Sequence, residues 1–412
     1  MRIRVSQRLF LALCASTVLT APALAQDPGI PRRGDTVLDR QRPATDARGL
    51  PASEGLRLFP SLDVGALYDS NIYARSQDSV SDIVTLVRPE LLITTAGPAP
   101  AVQMRAFGDL QYHVDETSED AQDFGVEATG QTSRNRPLQF EATTGFARQT
   151  RDRSDPEEVS TRPRSELNRY FGRGKVNLQL QQMRVSVSGE MRRLDFRQAV
   201  NDDRDRKELI VRGEVSLLRD ADREIYLAPE WRDIDYDDEL DRAGFDRDRS
   251  DLSGYAGIRL GLGGLLSGTV EVGATDISYD DPSFDDHLLA TAMVDVDWNI
   301  TRLTTISVTA ERAPQATTQP GSSVRIDNSL DVSVTHELRR SLLVKLDAGY
   351  AKWNFKGIDR KDDVTTVGAG VTYLMNRYIH LVAEYRYYDR SSDFELADFS
   401  RHQASIGLKL QL

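Results

Sequence analysis

A series of charged residues recurs at alternate positions through most of this chain. It comprises Arg105, Asp109, Glu127, Glu141, Lys175, Glu190, Arg212, Glu214, Glu230, Arg232, Arg259, Glu271, Asp295, Asp297, Arg325, Asp327, Asp331, Lys345, Asp347, Glu384 and Arg386. Period 2 puts such residues on one face of a β-strand. Their signs are mixed, with acids ahead. Two chemistries fit them. The plain one is cross-strand pairing that holds a polar wall together. The functional one is a hydrated lumen passing neutral or weakly charged solutes, with the acidic excess disfavouring small anions.

Signals for catalysis are weak, and the chain reads as a protein that is not an enzyme. His113, His287, His336, His380 and His402 are scattered over separate segments. His336-Glu337 has no second histidine four residues after the first, so it is not a zinc motif. There is no nucleophile elbow and no phosphate-binding glycine loop. Acidic runs such as Asp202-Asp203 and Asp237-Asp238-Glu239 lack calcium-loop spacing and are diluted by arginines. The reading therefore includes no catalytic residue, cofactor or metal. The net charge of −12 argues against nucleic acid as a partner.

The elements that must carry these residues are strands. Leu288, Ala290, Ala292, Val294, Val296, Trp298 and Ile300 alternate with Thr291, Asp295, Asp297 and Asn299. Similar alternation runs through Val102–Val114, Ile258–Leu262 and Val324–Val334. Short connections near 96–99, 133–137, 181–183, 220–222, 263–265, 301–303, 339–341 and 376–377 alternate with longer polar ones. Short periplasmic turns and longer outer loops are the pattern of an outer-membrane barrel. The turns recur about every forty residues, one hairpin per period. This predicts an all-β, closed antiparallel transmembrane barrel of about 18 strands, or 16 if one hairpin is overcounted. Mean hydropathy is −0.45, which such a barrel tolerates because only alternate residues meet lipid. Aromatics near the strand ends, among them Tyr112, Phe124, Tyr170, Trp353, Tyr388 and Trp298, suit two interfacial girdles.

The ends of the chain agree. Ile406, Leu408, Leu410 and Leu412 alternate with polar or small residues to the last position. Ser405, Gly407, Leu410 and Leu412 fit the C-terminal signal read by the barrel-assembly machinery, although Leu412 stands where an aromatic is usual. At the other end, Arg2, Arg4 and Arg8 precede an apolar run and an Ala23-Leu24-Ala25 cleavage pattern, so residues 1–25 read as a signal peptide. It contains Cys14, the chain's single cysteine. Residues 26–55, polar and proline-rich, read as a disordered periplasmic segment, and 56–412 as the barrel.

The first hairpin reads Leu58-Phe59-Pro60-Ser61-Leu62, Tyr68-Asp69-Ser70-Asn71-Ile72-Tyr73 and Val87-Arg88-Pro89-Glu90-Leu91. It resembles the opening of the "Putative beta-barrel porin 2" family of Gram-negative outer-membrane proteins. That resemblance implies an outer-membrane location in contact with lipid and lipopolysaccharide. It also implies a link to secretion of capsule, holdfast or other exopolysaccharide, with periplasmic polysaccharide-export components as partners. Three functions follow as expectations, the first the leading one and the other two its alternatives. A passive exopolysaccharide conduit calls for aromatic and acidic residues at the lumen constriction. A diffusion porin for small solutes calls for an inward-folded loop with facing charge clusters. The longest connection, Arg151 to Pro163, is modest for that purpose. A plugged structural or adhesive protein needs only a closed lumen.

Overall fold

The computed structural model describes residues 36–412 except 46, 54, 96–100, 133–135, 159–161, 221–222 and 263. The signal-peptide reading of residues 1–25 lies outside the described residues. The described chain begins with helix α1 (Val37–Thr45) and a short strand β1 (Leu50–Ser53). Then come β2 (Leu56–Asp69), β3 (Asp82–Thr95), β4 (Ala101–His113), β5 (Ala121–Gln131), β6 (Leu138–Thr150) and β7 (Glu166–Gln179). They are followed by β8 (Met183–Phe196), β9 (Arg206–Asp220), β10 (Arg223–Tyr236), β11 (Arg249–Leu262), β12 (Leu266–Tyr279) and β13 (His287–Thr301). The last six are β14 (Thr304–Gln315), β15 (Arg325–Arg339), β16 (Leu342–Phe355), β17 (Arg360–Leu374), β18 (Ile379–Ser392) and β19 (Phe399–Gln411).

Each strand from β2 to β19 pairs antiparallel with the next, and β19 returns to β2, closing an 18-strand barrel. Closure satisfies the backbone without a free edge, the condition for a sheet in lipid. The seam runs from Gln403↔Asp69 to Gln411↔Ser61. At its centre Gly65 faces Gly407, and a Cβ on Gly65 would lie 2.7 Å from the Ile406 carbonyl oxygen. Below the seam β1 takes the edge of β2 that β19 leaves free, pairing Leu50 with Leu58.

The two faces follow the sequence alternation. Ile406, Leu408 and Leu410 are exposed on the outer, lipid-facing side, while Lys409 points inward 3.8 Å from Asp63. Leu252, Leu288 and Leu346 are likewise outward and exposed. The barrel strands are 11 to 15 residues long, and all but the shortest exceed the ~9–11 that cross the bilayer.

Two features differ from the sequence expectations. Residues 26–55 have the composition of a disordered segment, yet their described part contains α1 and β1. A capping box made by Thr36 and Asp39 starts the helix: Thr36 Oγ1 donates to Asp39 Oδ2 at 2.8 Å, and the Asp39 N–H donates back to Thr36 Oγ1 at 3.2 Å. The aromatics of the outer strand ends also divide. Tyr112, Phe124 and Tyr170 are exposed outward, but Trp353, Phe355, Tyr388 and Phe399 are buried inward in one apolar cluster with Val364 and Ala74. They pack a local core against the inner wall at the outer mouth, where Ala74 and Ile358 of neighbouring connections join them.

Candidate channel constriction

The structure places all the charged candidates from the sequence on the inner face. Several are joined in ion pairs between strands. Arg105 grips Glu90 at 3.0 and 2.7 Å, and Arg88 lies 3.1 Å from Asp109. Arg173 bonds Glu190 at 2.9 Å. On β8–β12 the pairs form a ladder: Arg259 bonds Glu214 at 2.8 and 2.5 Å and Glu224 at 3.3 Å, and Arg184 also reaches Glu224. Arg212 lies 3.4 Å from Glu230, which is 3.8 Å from Arg232, and Arg212 also bonds Glu271, which accepts from the Tyr226 hydroxyl at 2.7 Å. Arg212 on β9 and Glu271 on β12 are three strands apart. Side chains so placed converge only on the concave side of a sheet, which fixes this face as the inside.

Others from the sequence are not brought together. Among the described residues, Glu127, Glu141, Lys175, Asp331, Lys345, Asp347, Glu384 and Arg386 form no ion pair. Asp331 and Asp347 sit beside glycines of the next strand. A Cβ on Gly349 would lie 2.5 Å from Asp331, and one on Gly368 would lie 2.4 Å from Asp347. Asp297 accepts from Ser307 at 2.6 Å. Asp295 pairs in register with Thr309, and Asp331 is the next strand's partner of Thr309. The wall of β13–β16 is therefore acidic at mid-depth, beside the paired wall of β8–β12.

The connection between β6 and β7 was read as a modest loop. Its residues 152–157 instead reach across the bore, while the Arg151 N–H stays bonded to the Ser165 carbonyl at 2.7 Å beside the wall. Glu157 accepts from Thr317 Oγ1 at 2.6 Å and Thr318 Oγ1 at 3.0 Å, and lies 3.9 Å from Arg325. Arg325 opens β15, nine strands around the barrel from β6 and so diametrically opposite. On the way the loop meets other elements. Arg153 holds Glu119 of the β4–β5 connection at 3.0 and 2.5 Å. Glu158 lies 3.4 Å from Arg204. Arg360 donates to the Pro156 carbonyl at 3.2 Å, Arg390 to the Ser154 carbonyl at 3.3 Å, and Arg401 to Asp152 at 3.2 Å.

The loop's acids are held ionised. Burial alone would raise the Asp152 carboxyl, but Arg401, Arg164 and two bonds from Ser154 hold it at about 2. Asp155 and Glu157 are also buried, and also held below the usual range. Arg151, Arg204 and Arg325 act on Asp155, and Arg204, Arg325 and the Thr317 hydroxyl act on Glu157. These partners fasten the loop electrostatically across the opening.

At the opposite mouth α1 sits against the wall. The Val37 N–H donates to Thr305 Oγ1 at 2.9 Å, and that hydroxyl donates to Asn299 Oδ1 at 2.7 Å. Val37 is fully buried. Thr305 and Asn299 are inner-face residues beside the short 301–304 turn, so the helix enters the bore from the periplasmic side. The polar, proline-rich composition of this segment gives little sign of that docking. One legible signal was the Thr36/Asp39 capping pair.

A closed 18-strand barrel with short turns at one end, a lipid-compatible outer face and a loop folded across a charged bore is a porin-like outer-membrane channel. The chain belongs to the family described as "Putative beta-barrel porin 2", whose model matches residues 43–412. It is a protein of the Gram-negative outer membrane. Among solved structures it is similar to OpdK of Pseudomonas aeruginosa, at 10% identity and TM-score 0.48 over 86% of this chain and 99% of that one. It is also similar to a mutant ferric enterobactin receptor, PfeA, of the same organism (8%, TM-score 0.46, 86% and 81%) and to a loop-deletion mutant of OmpT of Vibrio cholerae (11%, TM-score 0.37, 87% and 100%). These likenesses are of barrel architecture only. No curated protein matches the chain.

Proposed function

We propose that this protein is a diffusion porin for small hydrophilic solutes, not an enzyme, and that the 151–165 loop sets its constriction. The supporting observation is the path of that loop, whose Glu157 reaches Thr317 and Thr318 of the β14–β15 connection and Arg325 of the far wall. An inward loop with facing charges is the feature that separates a size-selective pore from an open tube. The exopolysaccharide conduit has its expected aromatic and acidic residues at this mouth as well, but its substrate rests on resemblance. A glycan chain would need the loop, and at the other mouth α1, to leave its path.

Lipid, lipopolysaccharide and the barrel-assembly machinery remain the partners this reading requires, with Ser405, Gly407, Leu410 and Leu412 as the assembly signal. Polysaccharide-export components are not required by it. The reading is tested by liposome swelling with the purified barrel. Small sugars and amino acids should enter, and entry should fall steeply with solute size. Liposomes that stay sealed to all of them, together with loss of surface polysaccharide in a deletion strain, would reverse the choice.

A further inference from the structure

We propose that Arg325, Arg360, Arg390, Arg401 and Arg386, descending the inner wall of β15 and β17–β19, form a binding track for small carboxylate solutes. The loop's own Asp152 and Glu157 lie against it as built-in competitors. The proposal deepens the porin reading and rests on it.

The register orders the row. Arg325 and Arg360 both pair with Phe355 at the outer end. Arg390 pairs with Val364 and Phe399, Arg401 with Tyr388, and Arg386 with Gly368 and Gln403. Along β17 these partners run from residue 360 through 364 and 366 to 368, each further into the bore. Aromatic rings separate the guanidinium groups. Arg360 lies 4.4 Å from the Phe355 ring, Arg390 4.7 Å from Phe399, and Arg325 5.6 Å from Trp353. Tyr388 and Phe399 stack at 5.0 Å.

The charges along the row are unevenly matched. Arg325 is paired with Asp327 at 2.6 and 2.9 Å, and Arg360 with Asp362 at 3.1 and 2.8 Å. Arg390 is 4% exposed, and among the described residues it donates only to carbonyls, those of Ala397 at 2.6 Å and Ser154 at 3.3 Å. Arg401 reaches Asp152 at 3.2 Å and Asp69 at 3.7 Å, while its buried Nε has no hydrogen-bond partner. Arg386 has no ion pair among the described residues. A buried guanidinium without a carboxylate is costly, and an incoming anion relieves that cost.

The groups now lying against the row identify the anion. They are carboxylates, Asp152 on Arg401 and Glu157 near Arg325, together with backbone carbonyls. A guanidinium fork matches a carboxylate with two parallel hydrogen bonds, and the adjoining rings cover a solute's carbon skeleton. Because the loop is tethered, its acids compete at an effective concentration in the millimolar range. A free carboxylate should therefore bind the native channel weakly and a channel stripped of those acids more tightly. The acidic composition of the whole chain pointed to poor passage of small anions, whereas the row facing the constriction is basic.

Trp353 supplies a direct readout. The chain has three tryptophans, and Trp231 and Trp298 are exposed on the lipid face. The W231F/W298F barrel in detergent micelles leaves Trp353 as sole reporter, 5.6 Å from Arg325. Succinate should shift its emission with a millimolar midpoint. Adding D152N/E157Q should tighten that midpoint about tenfold. Adding R386Q or R390Q should weaken it at least as much, and ethylenediamine, a cation of similar length, should do nothing. Retained heat-modifiability shows that each variant is folded. A folded D152N/E157Q barrel blind to succinate, or one answering equally to ethylenediamine, overturns the track. If Trp353 is blind while liposomes still admit sugars, the porin reading survives without it. If Trp353 responds but liposomes stay sealed, the site stands and free diffusion falls.

Discussion

Glu157, in the β6–β7 connection, and Arg325, the first residue of β15, belong to opposite sides of the barrel, yet their charged groups lie 3.9 Å apart. Only a loop that spans the bore brings them together. The Thr317 and Thr318 hydroxyls complete the hold on Glu157 at 2.6 and 3.0 Å. Replacing Glu157 with Ala removes those bonds and leaves Arg325 only Asp327. Breaking a buried charged contact costs about 3–5 kcal/mol. That cost should fall on the loop, since the barrel's backbone pairing is untouched. Limited proteolysis should cut the variant within 151–165 while the barrel band stays intact. Unchanged resistance would mean that Glu157 does not fasten the loop.

The loop should respond to acid only at low pH. Asp152, held at about 2, and the likewise depressed Asp155 and Glu157 have native values below those of the unfolded chain. Such groups contribute their stabilisation above the unfolded carboxylate range, about 4, and lose it as pH falls through the native value. Conductance should be flat from about pH 8 to 5 and should rise or become noisy as pH drops toward about 2. Asp205 behaves oppositely: burial, and then Asp195, Asp202 and Asp237, push it up to about 6. Its protonation favours the native outer surface as pH falls through that value. A change in conductance centred near pH 6 would trace to that surface and contradict loop control.

Adjacent residues on β16 should behave differently. Leu346 is exposed on the lipid face, whereas Lys345 points into the bore. Leu346→Arg should destabilise the barrel by about 2–4 kcal/mol if it sits near the midplane. Lys345→Leu should cost far less, because Lys345 has no ion pair among the described residues to lose. Urea unfolding in lipid vesicles measures both. Equal costs would contradict the assignment of faces.

Much of this fold was legible because a barrel writes its period into every strand. The alternation from Leu288 to Ile300 and the short turns at 301–303 and 339–341 are local features, set by neighbours in sequence. The constriction was not legible for the opposite reason. Its contacts join residue 152 to 401, 154 to 390, 156 to 360 and 157 to 317, and no local pattern links them. The same applies to the inward aromatics: Trp353 and Tyr388 have the residue types of a girdle, and only their packing with Ala74, Val364 and Phe399 shows that they are buried inward. The helix α1 carried a short capping signal, but its composition resembled an unfolded lead-in and its anchor, Thr305, is far along the chain.

That anchor can be removed. Thr305→Ala deletes the acceptor for the Val37 N–H and the donor to Asn299. The loss should be about 1–3 kcal/mol, the cost of leaving a buried polar group unpaired, and it should be local. Amide exchange across 36–45 should accelerate while the strands stay protected. Unchanged protection of α1 would show that other contacts hold it.

The C-terminal signal has its own test. Deleting residues 410–412, or Leu412→Asp, should block outer-membrane assembly. A charge at the interface costs little by burial, so failure would report lost recognition by the assembly machinery. A normal heat-modifiable barrel in the outer membrane of the truncated strain would refute it.

Single-channel conductance in planar bilayers tests the central claim most directly, comparing the native barrel with one in which residues 152–158 are replaced by a short glycine-serine linker. The native protein should show small, discrete steps, and the barrel without the loop a several-fold larger, less selective step. Equal conductance in the two, with both barrels folded, would contradict a constriction set by this loop.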